Sequence, residues 1–521
     1  MKKEKSINQK VGFAALIMMT SIFLSRVIGL IREMTIAYIG GAGSDVDAYQ
    51  LAFIIPEILN HVAASGFLSI TFIPIFTHYL TDNKENEGWR IFSIILNTIG
   101  TILLILIAFA EMFTYPLIQL LAPGITDIQT IDQAVCMTRI IMPAQFFFFA
   151  GGLLMAVQYA KERFFIPALA PLIYNLGIII GGIGLGDRSG MKGFSYGVLF
   201  GAFIGNFVLQ FWGAKRLGMR YFLAFSIKHS DFKKYIRLTL PLMIGMTMMF
   251  STEICFKLFG SYLPPGSIAS LNYAFRVMFM LVGFFGQAVG VASFPFLSQL
   301  AARNEITRMN TLLNETLKNY IALIIPFSAL IVVLRHEIIL ILFERGNFLS
   351  DDTILAANIL MYLMIGAFAF AAQTVVIRGY YAMQNTLFPA IFSTLAVCIS
   401  IPLYILGINY MDIFGIALAM SISAIIQIIL LYALWNRRTN NKSSRDVYLF
   451  FVKVIVLSAP IGLFVYECRQ LFIQWFPPIN LLYCLIICVL TTIVFMIILI
   501  TMGFVFKIQI IQKLSKRIIG K

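Results

Sequence analysis

The sequence predicts an all-α polytopic membrane protein with about fourteen transmembrane helices. These form two six-helix lobes in parallel pseudo-repeat, followed by two C-terminal helices. Three observations predict it. First, of 521 residues 60% are hydrophobic and only 12% charged, about half the charged share of a soluble domain. A soluble fold of this composition has no surface to offer water, so its solvent is the bilayer. Second, about fourteen apolar segments reach spanning length. Third, segments of the first half recur in the second at a nearly constant offset. A soluble enzyme, a disordered chain and a single-span receptor are excluded, the last because no long polar stretch could make a domain.

The expected spans, bounded by Gly, Pro or charge, are 11–39, 47–80, 90–118, 134–159, 165–186, 193–214, 234–261, 267–300, 312–343, 354–383, 387–408, 413–436, 447–472 and 479–505. Those longer than 25 residues require tilt or extension beyond the hydrocarbon. The first is read as a retained helix, because Arg26 and Arg32 follow its apolar start where a cleaved leader would show small residues.

The net charge of +15 would suggest nucleic acid in a soluble protein. Here it follows the positive-inside rule, and no nucleic-acid partner is expected. With a cytoplasmic N-terminus and an even helix count, 29 of the 39 Lys and Arg fall on the cytoplasmic side. Five fall outside (Arg188, Lys192, Arg335, Arg345 and Arg469) and five within spans. Both termini are therefore placed in the cytoplasm. The six cysteines lie in or beside apolar segments without paired spacing and read as small apolar residues.

The repeat is visible at three places. Tyr159, Pro167 and Ala168 return as Tyr381, Pro389 and Ala390; Gly43-Ser44 as Gly266-Ser267; Phe72-Ile73-Pro74 as Phe294-Pro295. An offset that covers six helices preserves orientation, so the duplication is parallel, about an axis along the membrane normal. The expected domains are an N-terminal lobe 1–220, a second lobe 221–440, and helices 13–14 with a basic tail over 441–521. Ligands in such folds sit between lobes near the midplane.

Charges inside spans cost about 2.5–3.5 kcal/mol each and mark function by default. Helix 1 carries Arg26, Arg32 and Glu33; helix 2 carries Asp47, Glu57 and His61; helix 4 Arg139; helix 7 Glu253 and Lys257; helix 8 Arg276. Arg26 and Glu33, seven apart, share a helix face, with Arg32 about 120° away. Asp47, Gln50, Ile54, Glu57 and His61 step by three and four, giving helix 2 a wet side interrupted by Pro56. Glu253 and Lys257 have the i,i+4 spacing of a favourable pair, which reads either as mutual neutralisation or as coupling. Arg139 reads most simply as a salt-bridge partner. Arginine suits phosphate because its planar fork bonds bidentately and never deprotonates, so arginines from both lobes point to an anionic headgroup, with Glu33 and Asp47 holding them or carrying protons.

Other chemistry lacks its residues. There is no phosphate-loop motif for ATP. The glycine run 181–186 lacks dinucleotide spacing and reads as packing or a turn. His336-Glu337 lacks the second histidine of a zinc helix. No cofactor and no metal are expected, and the chain is read as not an enzyme.

These residues resemble the MurJ (MviN) family of lipid II flippases, within the superfamily that includes MATE exporters. The resemblance is carried by Ser25-Arg26-Val27-Ile28-Gly29-Leu30-Ile31-Arg32-Glu33, Gly41-Ala42-Gly43 before Asp47-Ala48-Tyr49, Phe72-Ile73-Pro74 and Arg163-Phe164 with Pro167 to Asn175. It continues through Asn272-Tyr273-Ala274-Phe275-Arg276, Leu342 to Phe348, and Tyr380 to Thr386. The motifs cover residues 20 to about 390 in order.

The resemblance implies fourteen helices, two lobes and an arginine-lined cavity in the bacterial cytoplasmic membrane. It implies transfer of an undecaprenyl-pyrophosphate-linked glycan between leaflets by alternating access. Membrane lipids are implied partners, with cell-wall synthesis enzymes as neighbours. It assigns substrate contact to Arg26, Arg32, Arg276 and Asp47, with Glu33 for the usual Asp. Where the family has an Arg pair and Glu-Gly after the helix 2 proline, this chain has Asn60-His61 and Ser65-Gly66. Asn60, His61 and Ser65 are therefore expected at the substrate. Helix 11 offers Ser400 and Tyr404 but no carboxylate for a cation. The alternatives kept open are another lipid-linked oligosaccharide as cargo and a MATE-like drug or cation antiporter.

Overall fold

A computed structural model describes residues 7–62, 68–247, 251–383, 385, 387–478, 480–506 and 510–512. The described residues form helices and turns, with no strand among them. Apolar sequence at bilayer depth leaves the backbone no partner but itself, which selects the helix. The chain is a multi-pass α-helical membrane protein. Among the described residues, ten helices are long and apolar enough to cross a membrane.

By packing, the chain divides into two compact units, Met1–Gly266 and Ser267–Lys521. The first begins with α1 (Ile7–Gly40), α2 (Ser44–Leu51), α3 (Ile54–Val62), α4 (Leu68–Thr81) and α5 (Glu85–Met112). It continues with α6 (Thr114–Leu121), α7 (Ile128–Ile141), α8 (Ala144–Ala160) and α9 (Phe165–Ser189). Then come α10 (Lys192–Gly201), a π-helical stretch Ala202–Val208, α11 (Leu209–Arg216), α12 (Ser230–Thr247) and α13 (Ser251–Gly260). The seventh expected span, α12–α13, thus belongs to the first unit by its packing, where α12 lies on α3 and α4.

The expected second span is broken between α2 and α3. Pro56 supplies no N–H, and its ring crowds the carbonyl four residues back, at Ala52; the ladder resumes with the Glu57 N–H on the Phe53 carbonyl at 2.9 Å. Pro143 lies at the similar break between α7 and α8.

The glycine run of the fifth span is a packing seam. A Cβ on Gly181 would fall 2.6 Å from the Gly193 carbonyl oxygen, and one on Gly177 2.6 Å from the Gly201 Cα. Backbone therefore meets backbone between α9 and α10, as small residues allow in membranes.

The second unit holds α14 (Ser267–Ala302), α15 (Ile306–Val333), α16 (Arg335–Phe343), α17 (Ser350–Ala382), α18 (Leu387–Thr439), α19 (Ser444–Trp475) and α20 (Leu481–Val505). The helix α18 doubles back at Asp412, so that Gly407 and Gly415 touch; the expected eleventh and twelfth spans are its two arms. The last two helices dock through Ile461, Val465, Ile487, Phe495 and Leu499 on Ala322, Leu330 and Val333 of α15. A buried ion pair joins Glu337 of α16, 0% exposed, to Arg469 of α19. Glu337 Oε1 accepts from Arg469 Nε at 2.9 Å and Nη2 at 2.6 Å.

In each unit a spanning helix fastens the chain that follows a later one: α5 holds the chain after α11 in the first, and α15 the chain after α18 in the second. In the first, Asn97 Nδ2 donates to the carbonyls of Phe222 (3.1 Å) and Ala224 (3.0 Å), and Ser93 Oγ accepts from the Phe222 N–H at 3.1 Å. Lys161 adds a bond to the Leu217 carbonyl at 2.6 Å. In the second, Asn310 takes Trp435 Nε1 at 2.9 Å and donates to the Thr439 carbonyl at 3.2 Å, while Asn314 and Asn441 exchange amide bonds.

Candidate functional site: a buried arginine network

The seam between α1 and α9 carries the polar chemistry of the first unit. Its lower rungs fix the helices to each other: Ser21 Oγ donates to the Ala168 carbonyl, and Asn175 Nδ2 to Ser25 Oγ (3.3 Å) and to the Pro171 carbonyl (2.9 Å). Asn175 Oδ1 is thereby aimed at α1. It accepts from Arg32 Nη1 at 3.0 Å. Arg32 Nη2 donates to Glu33 Oε1 at 2.5 Å. Glu33 is buried and Arg32 nearly so. Burying a lone carboxylate is prohibitive, and an arginine beside it offsets the cost when the geometry is good. Arg32 Nε is buried and has no partner among the described residues.

Adjacent residues project about 100° apart on a helix, so the spacing alone relates Glu33 to Arg26. The length of the arginine side chain closes the Arg32–Glu33 gap. Arg26 itself is exposed on α1.

The polar stripe of the second span is divided by its break. On α2, Asp47 and Gln50 are buried. Asp47 Oδ2 accepts from the backbone N–H of Gly266 at 2.6 Å, so this carboxylate fastens the turn that ends the first unit. On α3, Glu57, Asn60 and His61 are half-buried. Ser65 lies outside the described residues. Lys257, one turn after Glu253, is 2% exposed. Arg276, in the second unit, is half-buried on α14. Arg139 lies 4.0 Å from Glu111 of α5, both partly exposed; such a pair contributes little.

The sequence reading names Arg32 and Glu33, which the structure joins as a pair, and the second-span stripe, which the structure divides between α2 and α3. It passes over Asn175 as a participant, and over the buried amide pair Gln158–Gln210 (3.0 Å) that joins α8 to α11. Polar residues inside an apolar span are the signal that marks both. Among the described residues no group of three metal-ligating side chains forms.

A multi-pass helical membrane protein that holds an arginine–glutamate pair within its apolar spans has the features of a transport protein. The chain is a member of the MurJ family: the family model, described as lipid II flippase MurJ, matches residues 36–506. Similar proteins include the probable lipid II flippase MurJ of Buchnera aphidicola subsp. Baizongia pistaciae, 29% identical over 416 residues (79% of this chain, 80% of the relative). That of Thermotoga maritima is 29% identical over 409 residues, covering 77% and 81%. Among solved structures, a lipid II flippase MurJ in an inward closed conformation aligns with TM-score 0.77 at 26% identity, covering 94% of this chain and 99% of that one. An inward-facing MATE family multidrug transporter of the MOP superfamily aligns with TM-score 0.66 at 13% identity, covering 79% and 94%; this likeness is one of fold.

Proposed function

We propose that this protein is a lipid II flippase of the bacterial cytoplasmic membrane, moving the lipid-linked precursor from the inner to the outer leaflet by alternating access. The observation that carries the reading is the family match across residues 36–506. The buried Arg32–Glu33–Asn175 network supports it chemically, because a pyrophosphate headgroup needs fixed cations at bilayer depth. The protein acts as a transporter rather than an enzyme, with both termini cytoplasmic, as the distribution of Lys and Arg supports.

Arg26, Arg32 and Arg276 bind the pyrophosphate, Glu33 and Asp47 hold local geometry, and Asn60, His61 and Ser65 contact the cargo. Glu57, Glu253 and Lys257 are the candidates for charge coupling, while Arg139 serves α5–α7 packing. Two six-helix lobes, 1–220 and 221–440, with 441–521 appended, fit recurring backbone features. Left-handed Asn83 (φ 57°) has its counterpart in Asn304 (φ 56°), and Gly218 (φ 84°) in Asn440 (φ 50°).

The test is complementation. A cell depleted of its own lipid II flippase receives this gene, and outer-leaflet lipid II is measured by an externally added probe. Rescue by the parent chain and its loss in Arg32→Ala at equal abundance are expected. Absence of rescue with the protein present in the membrane overturns lipid II as cargo.

A further inference from the structure

The segment between α11 and α12 is built like a membrane-surface strap. Its side chains divide into two sets. Leu223 (81% exposed), Phe225 (60%) and Ile227 (69%) present apolar groups outward, with Phe222 less exposed (38%); Tyr221 turns its hydroxyl back to donate to Asn97 Oδ1 at 2.8 Å, and Ala224 and Ser226 are half-buried. The backbone is held from the other side by Ser93 and Asn97, as described above. Leu223 stands at the apex of a tight turn, closed by the Ala224 N–H on the Phe222 carbonyl at 2.8 Å. An 81% exposed leucine on a fastened turn is not a packing residue of the first unit. Three alternate outward apolar groups, Leu223, Phe225 and Ile227, form a patch of the kind that marks an interaction surface.

The flanks say what covers it. From 215 to 237 the chain holds seven basic residues (Lys215, Arg216, Arg220, Lys228, Lys233, Lys234 and Arg237) against one acid, Asp231. All seven basic residues are exposed. The depth is also marked. Trp212, exposed near the end of α11, carries the Arg216 guanidinium 3.6 Å above its ring, and tryptophan and arginine together sit at the level of lipid headgroups. The strap begins five residues after Arg216.

We propose that residues 221–227 lie in the headgroup layer of the bilayer, with Leu223, Phe225 and Ile227 dipping toward the acyl chains and the flanking Lys and Arg on anionic lipid phosphates. Apolar side chains and basic flanks cooperate in this way in interfacial segments. The connection after α11 is then fastened twice, to α5 by hydrogen bonds and to the membrane by partition.

The full chain is reconstituted in vesicles of phosphatidylcholine, with and without phosphatidylglycerol, containing lipids brominated near the headgroup end of the acyl chain. Tryptophan is introduced as Leu223→Trp, Phe225→Trp or Ser226→Trp, and the signal is taken as the difference from the parent chain. Bromolipid is expected to quench the first two about twofold more strongly than Ser226→Trp, and more strongly with phosphatidylglycerol than without. Replacing Lys228, Lys233 and Lys234 by Gln removes the latter increment. Leu223→Trp that is quenched by aqueous iodide and not by bromolipid overturns the proposal and leaves the surface to a soluble partner. Bromolipid quenching that ignores phosphatidylglycerol overturns the role of the basic flanks.

Discussion

Asp412 repeats the backbone conformation of Gly190, 222 positions earlier: φ 48°, ψ −127° against φ 53°, ψ −136°. Each turns one long antiparallel helical hairpin. This region of φ and ψ suits glycine and costs an L-residue about 1–3 kcal/mol. Nothing lies within 4 Å of a Cβ built on Gly190, so only the backbone term operates there. Asp412→Gly is expected to raise thermal stability by about 1 kcal/mol, and Gly190→Ala to lower it by about 1–3 kcal/mol. Thermal unfolding in detergent checks both. Destabilisation by Asp412→Gly would show that the aspartate side chain outweighs its strain.

The buried pair Glu337–Arg469 ties α16 to α19. Removing one partner leaves the other charged and dry, so Glu337→Ala is expected to cost about 3–5 kcal/mol. The double change Glu337→Leu with Arg469→Met should cost much less, since no uncompensated charge remains. A double-mutant cycle on thermal unfolding measures the difference; equal losses in the single and double variants contradict the pairing argument.

Asp47 accepts a charge-assisted bond from the Gly266 N–H. Asp47→Asn keeps an acceptor and should retain most of the stability, whereas Asp47→Ala is expected to cost about 1.5–3 kcal/mol. Comparing transport of the two variants at equal abundance separates the tether from the charge. Full loss in Asp47→Asn with an intact melting curve would assign the negative charge itself to transport.

Asn175 positions Arg32 without being charged. Asn175→Ala removes one bond from the guanidinium and is expected to slow lipid II transfer about tenfold, the equivalent of about 1.4 kcal/mol, with Arg32→Ala slower still. Unchanged transfer in Asn175→Ala would remove the positioning role.

Asp127 caps α7 outside the spans. Its carboxylate accepts from Thr130 Oγ1 (2.6 Å) and the Thr130 N–H (3.0 Å), and these bonds hold it below the usual carboxylate range. A lowered folded-state value means the contribution is complete above the ordinary range and is lost as pH falls through the lowered one. The melting temperature of Asp127→Asn should therefore lie below the parent at neutral pH and converge with it at the acid end. A constant gap across that window would rule the cap out as the source.

Much of this was legible in the residues. The spans follow from apolar runs, and the duplication from recurring Tyr, Pro and Gly positions. Arg32 and Glu33 stand out because charge is rare at bilayer depth. What was not legible is who meets whom. Arg32 and Asn175 are 143 positions apart, and nothing in an apolar helix marks which face meets a neighbour. Glu337 invited comparison only with an incomplete zinc motif, and Arg469 was counted among outer charges; their pairing is a property of packing. The breaks behave differently. Pro56 announces the interruption of the second span, but α18 turns at an aspartate, which no sequence rule selects over its neighbours.

The seam of Gly177, Gly181, Gly193, Gly197 and Gly201 has a mechanical consequence. An interface of bare backbone holds no rotamers that could be re-sorted, and separating it would open voids that lipid cannot fill closely. The α9–α10 hairpin should accordingly travel as one plank, keeping its own angle through any cycle of the molecule. Flexure is left to places where the helical ladder is already interrupted: Ala52–Phe53, Met142–Pro143 and the wide turn of Ala202–Val208.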